Sequence, residues 1–400
     1  MSGVREHSRT EVWRRGRAAG RHTMAALASA VVVAGAAAGV MAAAAGDGER
    51  TTARPDPTAS PVLEALPAVP TPSVSAPASA SPSASASASP RPARPGPASG
   101  APAASAKPSG RAGGITALYR HPQSQVLDWV AAHRSDPRRP LIESRIAAQP
   151  AAVWFPAYNP GAVTGQVRGV TAAAAAAGRT PVLVPYAIPD RDCGGASEGG
   201  APGLDAYDAW MEDFAAGLGS GPVIVILEPD AIALSDCLSA GQRADRFASL
   251  ARAGRTLHAA NPRARVYFDG GHSGWHSAAK QAAALREAGA AASGDGIFTN
   301  VSNFHSTADE AAYARRVLAA LGGPSRLGAV IDTSRNGNGA PKEGEWCDPS
   351  GRALGRTPTT RTGEARIDAY LWVKLPGESD GCKGSAGSFT PDYAYELATG

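Results

Sequence analysis

The chain has 400 residues, is rich in alanine, glycine and proline, and carries a formal net charge of +4. The basic excess lies mainly before residue 23, so no basic surface is indicated elsewhere and we expect no nucleic-acid partner. The four cysteines form no C-x-x-C pair and no His/Asp/Glu spacing suggests a ligand set, so we expect neither a metal nor a cofactor.

The first 45 residues have the layout of an export signal. Residues 1–22 are strongly basic, and the apolar run Thr23–Ala45 ends in small residues that suit cleavage. We therefore predict a cleaved signal peptide and a secreted protein. The alternative is an uncleaved signal anchor, because about 20 apolar residues can span a bilayer, and the domain would then be membrane-anchored outside the cell.

Residues 46–113 are dominated by proline, alanine and serine and contain few large apolar side chains. Such a segment cannot bury enough apolar surface to compensate for the entropy lost on ordering, so we predict a disordered linker. Residues 114–400 then remain for one folded domain, which is long enough to form a single barrel with a large core.

Seven apolar runs in this domain predict strands, and most of them precede a helical pattern. The clearest run is Val223–Leu227, which ends where Pro229 can no longer donate to a ladder. The other strands are predicted at Ala151–Phe155, Pro181–Tyr186, Arg265–Phe268, Gly296–Thr299, Leu327–Ile331 and Ala369–Lys374. Helices are predicted at Val167–Ala177, Leu204–Leu218, Ala240–Ala260, Trp275–Glu287 and Thr307–Leu321.

Polar side chains follow six consecutive predicted strands, at the point where each strand ends. They include Asp190, Asp192, Glu228, Asp230, Asp269, His272, Asn300, Asn303, Asp332, Arg335, Glu378 and Asp380. For a single strand end the alternative is a helix N-cap, which we favour for Asp332 or Asn300 taken alone. Six such ends in succession indicate instead that the strand ends converge on one rim, which predicts a parallel TIM-like (β/α) barrel over an open sheet.

Two of these acids have the properties of a catalytic pair. Asp230 lies at the end of a buried strand, where partial burial raises a carboxyl pKa and suits a general acid. Asp380 comes from the loop after the last strand and can face Asp230 across a cleft. A carboxyl separation of about 6.5–9.5 Å would leave room for a water and predict glycoside hydrolysis with inversion.

Tryptophans at the same rim indicate a ligand with flat apolar faces, such as a sugar ring. Trp154, Trp275 and Trp346 lie in or beside strand ends, and the glycines around Trp275 favour an exposed platform over core packing. Trp210 and Trp372 fall inside predicted elements, so we predict that they belong to the core.

The loop that contains Arg191 concentrates three charges beside a cysteine. Arg191 can bind a carboxylate through two N–H groups, although a local salt-bridged turn is the alternative. The glycine-rich stretch Gly194–Gly200, which contains Ser197, predicts a mobile lid or a close approach of the backbone to a ligand. In an exported chain four cysteines predict two disulfides, and three pairings remain open for Cys193, Cys237, Cys347 and Cys382.

Seven motifs appear together and in order: PYxxPDRDC at 185–193, EPD at 228–230, DGGHSGW at 269–275, NVSN at 300–303, DTSRN at 332–336, WC at 346–347 and WVKxxGExD at 372–380. With these motifs, the sequence from about Ile115 to the C-terminus resembles the catalytic domain of glycoside hydrolase family 6, a family of cellulases. The resemblance implies an α/β fold, a distorted, partly open barrel of about seven strands that cleaves β-1,4-glucan with inversion.

The same resemblance implies four catalytic residues. Asp230 corresponds to the general acid, and Asp192 corresponds to the neighbour that raises its pKa and steadies the developing positive charge. Tyr186 corresponds to the group that favours a distorted sugar. Asp380 corresponds to the candidate general base, with a water chain through Ser197 as one route to it.

The resemblance also implies how the glucan is bound. Lys374 and Glu378 correspond to ligands of the sugar at the leading subsites, Trp154 and Trp346 to stacking faces there, and Trp275 to the platform past the scissile bond. The full predicted substrate-binding set is Trp154, Arg191, Ser197, His272, Trp275, Asn303, Trp346, Lys374 and Glu378. The disulfides implied by the family are Cys193–Cys237 and Cys347–Cys382.

Two departures from the cellobiohydrolases of the family favour an open cleft. No second tryptophan follows Trp275 in His276–Lys280, and a short segment separates Asp380 from Phe389, where those enzymes carry long roofing insertions. We predict a secreted, monomeric endo-β-1,4-glucanase. The alternatives are exo action of the cellobiohydrolase type, action on another polysaccharide such as xylan, or a non-hydrolytic glucan-binding protein of the cell wall.

Overall fold

The computed structural model describes residues 117–342 and 344–400. In this part of the chain seven strands form a single sheet, in which each strand pairs in parallel with the next. The strands are Val153–Phe155 (β1), Val182–Pro185 (β2), Val223–Leu227 (β3), Ala264–Asp269 (β4), Gly296–Thr299 (β5), Gly328–Asp332 (β6) and Ile367–Leu371 (β7). Because the spatial order equals the chain order, the sheet has the topology of a parallel β/α barrel.

The barrel is open between β1 and β7. No ladder joins these two strands in the described sheet, and a main-chain hydrogen bond from the Ala152 N–H to the Trp372 carbonyl, at 2.9 Å, crosses the gap instead. The indole Nε1 of Trp154 donates to the Val373 carbonyl across the same gap at 2.7 Å. The expected α/β fold, a distorted and partly open barrel of seven strands, is therefore confirmed.

Helices surround the sheet. Within the described residues they are Gln125–Ala132 (α1), Arg139–Ile142 (α2), Val163–Ala176 (α3), Leu204–Ala216 (α4), Ala240–Ala260 (α5), Ala278–Glu287 (α6), Ala290–Ser293 (α7), Thr307–Leu321 (α8) and Pro391–Thr399 (α9). A short π-helical turn, Glu143–Ala147, follows α2 directly.

Side-chain alternation along the buried strands divides the core into two layers. In β3, Ile224 and Ile226 belong to a cluster inside the barrel, whereas the other three residues pack in the cluster between the sheet and the helices. All five residues of β3 are buried, as expected of a strand covered on both faces. Trp210 and Trp372, predicted as core residues, are almost completely buried, and that prediction is confirmed.

Serines begin the helices of the rim. The side chains of Ser239, Ser277 and Ser306 cap α5, α6 and α8, each accepting a main-chain N–H from the first helical turn. The N-cap interpretation of Asn300 and Asp332 is therefore wrong. The helix after Asn300 is capped by Ser306, and β7 is the next regular element after Asp332 in the described chain. The polar residues at the strand ends are thus available for other contacts.

The predicted bounds agree with the structure for β3, β5, α5 and α8. Strand β7 ends at Leu371, three residues before its predicted end, because the N–H groups of Val373 and Lys374 donate to the Asp332 carboxylate and not to a ladder. Helices α1 and α9 were not predicted, and both lie beside the loop that carries Glu378.

The predicted signal, residues 1–45, and the predicted linker, residues 46–113, lie outside the described residues. Within 117–342 and 344–400, no helix combines the length and the apolar character that crossing a bilayer requires.

Candidate active site

A groove of about 1000 Å³ lies at the carboxyl ends of the strands. It is lined by the loops that follow the strands, together with residues from the segments 120–127 and 146–152. The structure brings every predicted catalytic and substrate-binding residue to the wall of this groove: Trp154, Tyr186, Arg191, Asp192, Ser197, Asp230, His272, Trp275, Asn303, Trp346, Lys374, Glu378 and Asp380. Loops far apart in the chain therefore meet at one surface, as the convergence of strand ends predicted.

Buried carboxyls at the strand ends hold the neighbouring rim loops in place. Glu228, which follows β3, accepts the N–H groups of Ala187 and Ile188 in the loop after β2, each at 3.0 Å. Asp269, which ends β4, accepts those of residues 232 and 233 in the loop after β3, at 3.1 and 2.8 Å. Each carboxyl thus fixes the preceding loop, and sequence analysis did not assign them to the site.

Asp332 makes the same kind of contact across the barrel opening. Its carboxylate accepts the Lys374 N–H at 2.9 Å and the Ser334 N–H at 2.9 Å. The Asn300 amide donates to the Asp332 carbonyl at 2.9 Å, and its oxygen accepts the His305 N–H at 3.0 Å. These bonds locate Lys374 on the groove wall and fold the loop after β5 tightly against the barrel.

Asp230 is a partly buried carboxyl in a strained backbone segment. Its φ is +69°, and that of Glu228 is +49°, so the chain turns sharply at the end of β3. Burial raises the pKa of Asp230 well above its ordinary value, and the charges of Asp269 and Asp192 raise it further. A raised carboxyl pKa favours the protonated form, which is the form that a general acid needs.

Arg191 organises the loop that carries Asp192. Its guanidinium lies 4.5 Å from the centre of the Tyr186 ring and donates to the carbonyls of Pro156 at 2.6 Å and Ser197 at 2.8 Å. The Asp192 carboxylate accepts the Ser197 N–H at 2.7 Å. Arg191 therefore binds main-chain carbonyls and a ring face, and neither the carboxylate clamp nor the salt-bridged turn is what the structure shows.

Tyr186 is buried against the wall of the groove. Its ring meets Trp154 edge-on at 5.3 Å between centroids. Burial raises the pKa of the Tyr186 hydroxyl well above its ordinary value, and the charges of Asp230 and Asp192 add to this. The hydroxyl therefore remains protonated and can donate a hydrogen bond to a ligand beside Asp230.

Asp380 is held between two cations. Arg335 Nη1 donates to its Oδ2 at 2.7 Å, and Lys374 Nζ lies 3.1 Å from its Oδ1. Burial lowers the pKa of Arg335, but the charge of Asp380, its hydrogen bond and the charges of Tyr393 and Asp332 together outweigh this, so the pKa of Arg335 is raised. The two ion pairs thus hold the Asp380 carboxylate in one position in the groove.

Asp348, which sequence analysis missed, supports the loop of Asp380. It accepts the N–H groups of Asp380 at 2.7 Å, Cys382 at 3.0 Å and Lys383 at 2.8 Å. A hydrogen bond from the Ser379 hydroxyl and these main-chain bonds lower the pKa of Asp348 to about 2 in spite of the opposing effect of burial, so Asp348 is ionised near neutral pH. The sequence around Asp348 carries no signal for this role beyond its place after Cys347.

Two histidine rings and a tryptophan ring line the groove after β4 and β5. His272 stacks on His305 with 4.4 Å between centroids, and Trp275 lies 5.2 Å from His272. Burial, with the charges of His305 and His276, lowers the pKa of His272 to about 3, so its ring is neutral near pH 7. A neutral imidazole and an indole face suit sugar hydroxyls and C–H groups better than a charged ligand.

The structure joins Cys193 to Cys237 and Cys347 to Cys382, the pairing that the family resemblance implied. The first disulfide ties the Arg191 loop to the segment after β3, and the second ties the Trp346 loop to the loop of Asp380. Within 117–342 and 344–400, no group of three or more His, Cys, Asp or Glu side chains is arranged to hold a metal ion.

An open β/α barrel whose rim groove combines a carboxyl of raised pKa, a carboxylate held between two cations and tryptophan faces has the architecture of a glycoside hydrolase. Residues 115–399 match the family described as Glycosyl hydrolases family 6. The chain belongs to this family.

Two relatives and one solved structure illustrate the similarity. The chain is 57% identical over 299 residues to "Endoglucanase 1" of Streptomyces sp. (strain KSM-9), covering 73% of this chain and 82% of that protein. It is 52% identical over 282 residues to "Endoglucanase A" of Thermobispora bispora, covering 70% of this chain and 61% of that protein. The structure of the endoglucanase Cel6 from Mycobacterium tuberculosis, in complex with methyl-cellobiosyl-4-deoxy-4-thio-β-D-cellobioside, is 42% identical with a TM-score of 0.66, covering 72% and 97%.

Proposed function

We propose that this chain is an inverting endo-β-1,4-glucanase that hydrolyses internal bonds of cellulose or related β-glucans. The observation that carries the proposal is Asp230, a carboxyl with a raised pKa at the end of β3, in the same groove as the Asp380 carboxylate that Arg335 and Lys374 hold. Relatives of this chain that carry the name endoglucanase, and the cellobioside-derived ligand of the Mycobacterium tuberculosis enzyme, support the same reaction and polymer.

Asp230 is the proton donor of the proposed mechanism. It protonates the glycosidic oxygen as the bond to the leaving sugar breaks, and the raised pKa keeps the proton available until then. The ionised form of Asp192 raises the pKa of Asp230 and stabilises the positive charge that develops on the sugar ring. The protonated Tyr186 hydroxyl contacts that sugar and favours its distorted conformation.

A water attacks the opposite face of the ring and must lose a proton. Asp380 is the candidate base of the family resemblance, and its carboxylate is engaged by both Arg335 and Lys374. We infer that the proton passes along a water chain beside Ser197, whose main-chain N–H binds Asp192, to bulk water, and that the Asp380 carboxylate acts by its charge. The reaction inverts the anomeric centre because the water and the leaving group use opposite faces.

The glucan lies along the groove with its rings against tryptophans. Trp154 and Trp346 form stacking faces for the leading subsites, where Lys374 and Glu378 bind hydroxyls, and Trp275 forms the face past the scissile bond. Arg191, Ser197, His272 and Asn303 complete the wall around these subsites. A glucan that occupies subsites on both sides of the scissile bond in this way favours cleavage within the polymer chain.

Two further parts of the proposal concern the state of the protein. Both cysteine pairs of the folded domain are oxidised, which favours a secreted enzyme over one in a reducing compartment. Residues 1–45 are then a cleaved signal peptide, or an anchor that leaves the domain outside the cell, and residues 46–113 are a linker. We propose that the secreted protein acts as a monomer on β-1,4-glucan.

Carboxymethyl-cellulose tests the proposal directly. We expect the full chain to release reducing sugar and to lower the viscosity early in the reaction, as internal cleavage requires. Asp230→Asn keeps the size of the side chain but cannot supply the proton, so its rate should fall by about 10²–10⁴-fold. Fresh product of the α configuration by NMR would establish inversion. Equal rates for wild type and Asp230→Asn would remove Asp230 from the mechanism, and cellobiose as the sole early product would favour exo action.

A further inference from the structure

Gln125, in the first turn of α1, makes three hydrogen bonds to the loop after β7. Its Nε2 donates to Glu378 Oε1 at 3.0 Å and to the Gly387 carbonyl at 2.7 Å. Its Oε1 accepts the Phe389 N–H at 3.0 Å. Gln125, Glu378, Gly387 and Phe389 all line the groove, so this side chain joins two of its walls.

The orientation of the Gln125 amide follows from its partners. The nitrogen meets two acceptors and the oxygen meets one donor, so both amide hydrogens and one lone pair are used. A reversed amide would place its oxygen against the carboxylate of Glu378 and its nitrogen against an N–H. The arrangement therefore specifies glutamine chemically, and a glutamate of the same length would repel the Glu378 carboxylate.

Glu378 needs such a partner because it is a largely buried carboxyl. Burial raises the pKa of Glu378 to about 7, whereas the charge of Lys374 and the hydrogen bond from Gln125 act in the opposite direction. The loop that carries Glu378 is also closed on itself by a bridge between Glu378 and Phe389, the residue whose N–H Gln125 binds. Gln125 thus holds both the side chain of Glu378 and the main chain opposite it.

We propose that Gln125 is a positioning residue for glucan binding, which fixes the Glu378 carboxylate so that its second oxygen accepts a sugar hydroxyl in the leading part of the groove. This inference rests on the proposed function, in which Glu378 binds that sugar. The three side-chain hydrogen bonds of Gln125 all go to the loop that carries Glu378, and none of them goes to Asp230. Its loss should therefore weaken binding and leave the chemical step unchanged.

The test uses the full chain and measures kcat and KM separately on cello-oligosaccharides of four to six units. Gln125→Met keeps the length of the side chain and removes all three hydrogen bonds, and we expect KM to rise about 10-fold with kcat within about twofold. Gln125→Glu keeps the size of the side chain but replaces the hydrogen bond to the Glu378 carboxylate by electrostatic repulsion. The KM of Gln125→Glu near pH 7 should therefore exceed that of Gln125→Met. Gln166→Met is the matched control. Gln166 is an exposed glutamine of α3, and the hydrogen bond that its side chain accepts from Asn159 lies outside the groove.

A double-mutant cycle separates positioning from general structural damage. With Glu378→Gln in the background, Gln125→Met should raise KM by less than twofold, since the group that it positions is already altered. Unchanged KM in Gln125→Met and Gln125→Glu would overturn the inference, as would fully additive effects in the cycle. Failure of the proposed function would look different, because the wild type would then not hydrolyse the oligosaccharides at all.

Discussion

Arg335 and Asp380 form an ion pair of 2.7 Å that is closed to solvent, with exposed fractions of 0% and 5% for the two side chains. Arg335 also donates to the Ser302 carbonyl at 2.5 Å, so its guanidinium ties the loop after β5 to the loop after β7. The same Asp380 carboxylate is 3.1 Å from Lys374. The Asp380 carboxylate in the groove is thus fixed in place by one cation from the segment after β6 and one from its own segment after β7.

Replacing Arg335 by methionine should damage both stability and activity. The change leaves Asp380 buried with one cation fewer, which costs about 3–5 kcal/mol of unfolding free energy. Because the loop that carries Asp380 then shifts, we expect kcat to fall by about 100-fold. Urea unfolding and steady-state kinetics on soluble glucan measure the two effects.

The control for this prediction is Arg252→Met. Arg252 pairs with Asp208 at 2.6 Å, but this pair is partly exposed, so its loss should cost no more than about 1 kcal/mol and leave kcat unchanged. Equal losses of stability in the two variants would show that the Arg335 pair has no special role.

Asp192→Asn should move the basic limb of the pH profile of kcat/KM to lower pH. The Asp192 charge raises the pKa of Asp230, so its removal lowers that pKa. Asp230 then loses its proton at a lower pH, and the acid form that catalysis requires disappears earlier as the pH rises. A pH series of kcat/KM on a soluble substrate measures the limb. A limb that stays in place, or moves to higher pH, would separate Asp192 from the pKa of Asp230.

The groove could be predicted from the sequence because its residues can be recognised by their position directly after an apolar strand. Strand ends in a parallel barrel converge, so Asp230, Asp380 and Trp275 could be assigned to one rim from their places after apolar runs. Their chemistry also has local signals, such as the carboxyl that ends a buried strand and the tryptophan surrounded by glycines.

Contacts between distant loops could not be predicted in this way. Gln125 meets a carboxylate 253 positions away, and Arg335 meets one 45 positions away. Neither the sequence around Gln125 nor that around Asp348 indicates which group will face it, since the packing of α1 and of the long loop before β7 decides the partner. Arg335 could be recognised as a basic residue after an apolar strand, but neither its burial nor its partner could be predicted.

The buried carboxyl of Glu228 should make the protein less stable as the pH rises. Burial raises its pKa to about 7, against an ordinary value of 4.5. Between these values the folded state binds more protons than the unfolded state, so the unfolding free energy falls with rising pH. The contribution of Glu228 is fully present below about pH 4.5 and lost through pH 7, amounting to roughly 3 kcal/mol.

Glu228→Gln should remove this part of the pH dependence. The glutamine oxygen can still accept the N–H groups of the loop after β2, while the group no longer titrates. Urea unfolding of both proteins at half-unit steps from pH 4.5 to 8 gives the comparison. Parallel curves for wild type and variant would show that Glu228 does not titrate in this range.

Trp346→Ala should weaken glucan binding without loss of stability. The Trp346 side chain is 56% exposed on the groove wall, so it contributes little to the core, and its removal should change the unfolding free energy by less than about 0.5 kcal/mol. A stacking face for a sugar is lost, so KM for cello-oligosaccharides should rise severalfold while kcat changes little. Tyr395→Ala is the control, because Tyr395 is 38% exposed on α9 and is not part of the groove wall. Equal KM values for Trp346→Ala, Tyr395→Ala and wild type would show that no sugar ring rests on Trp346.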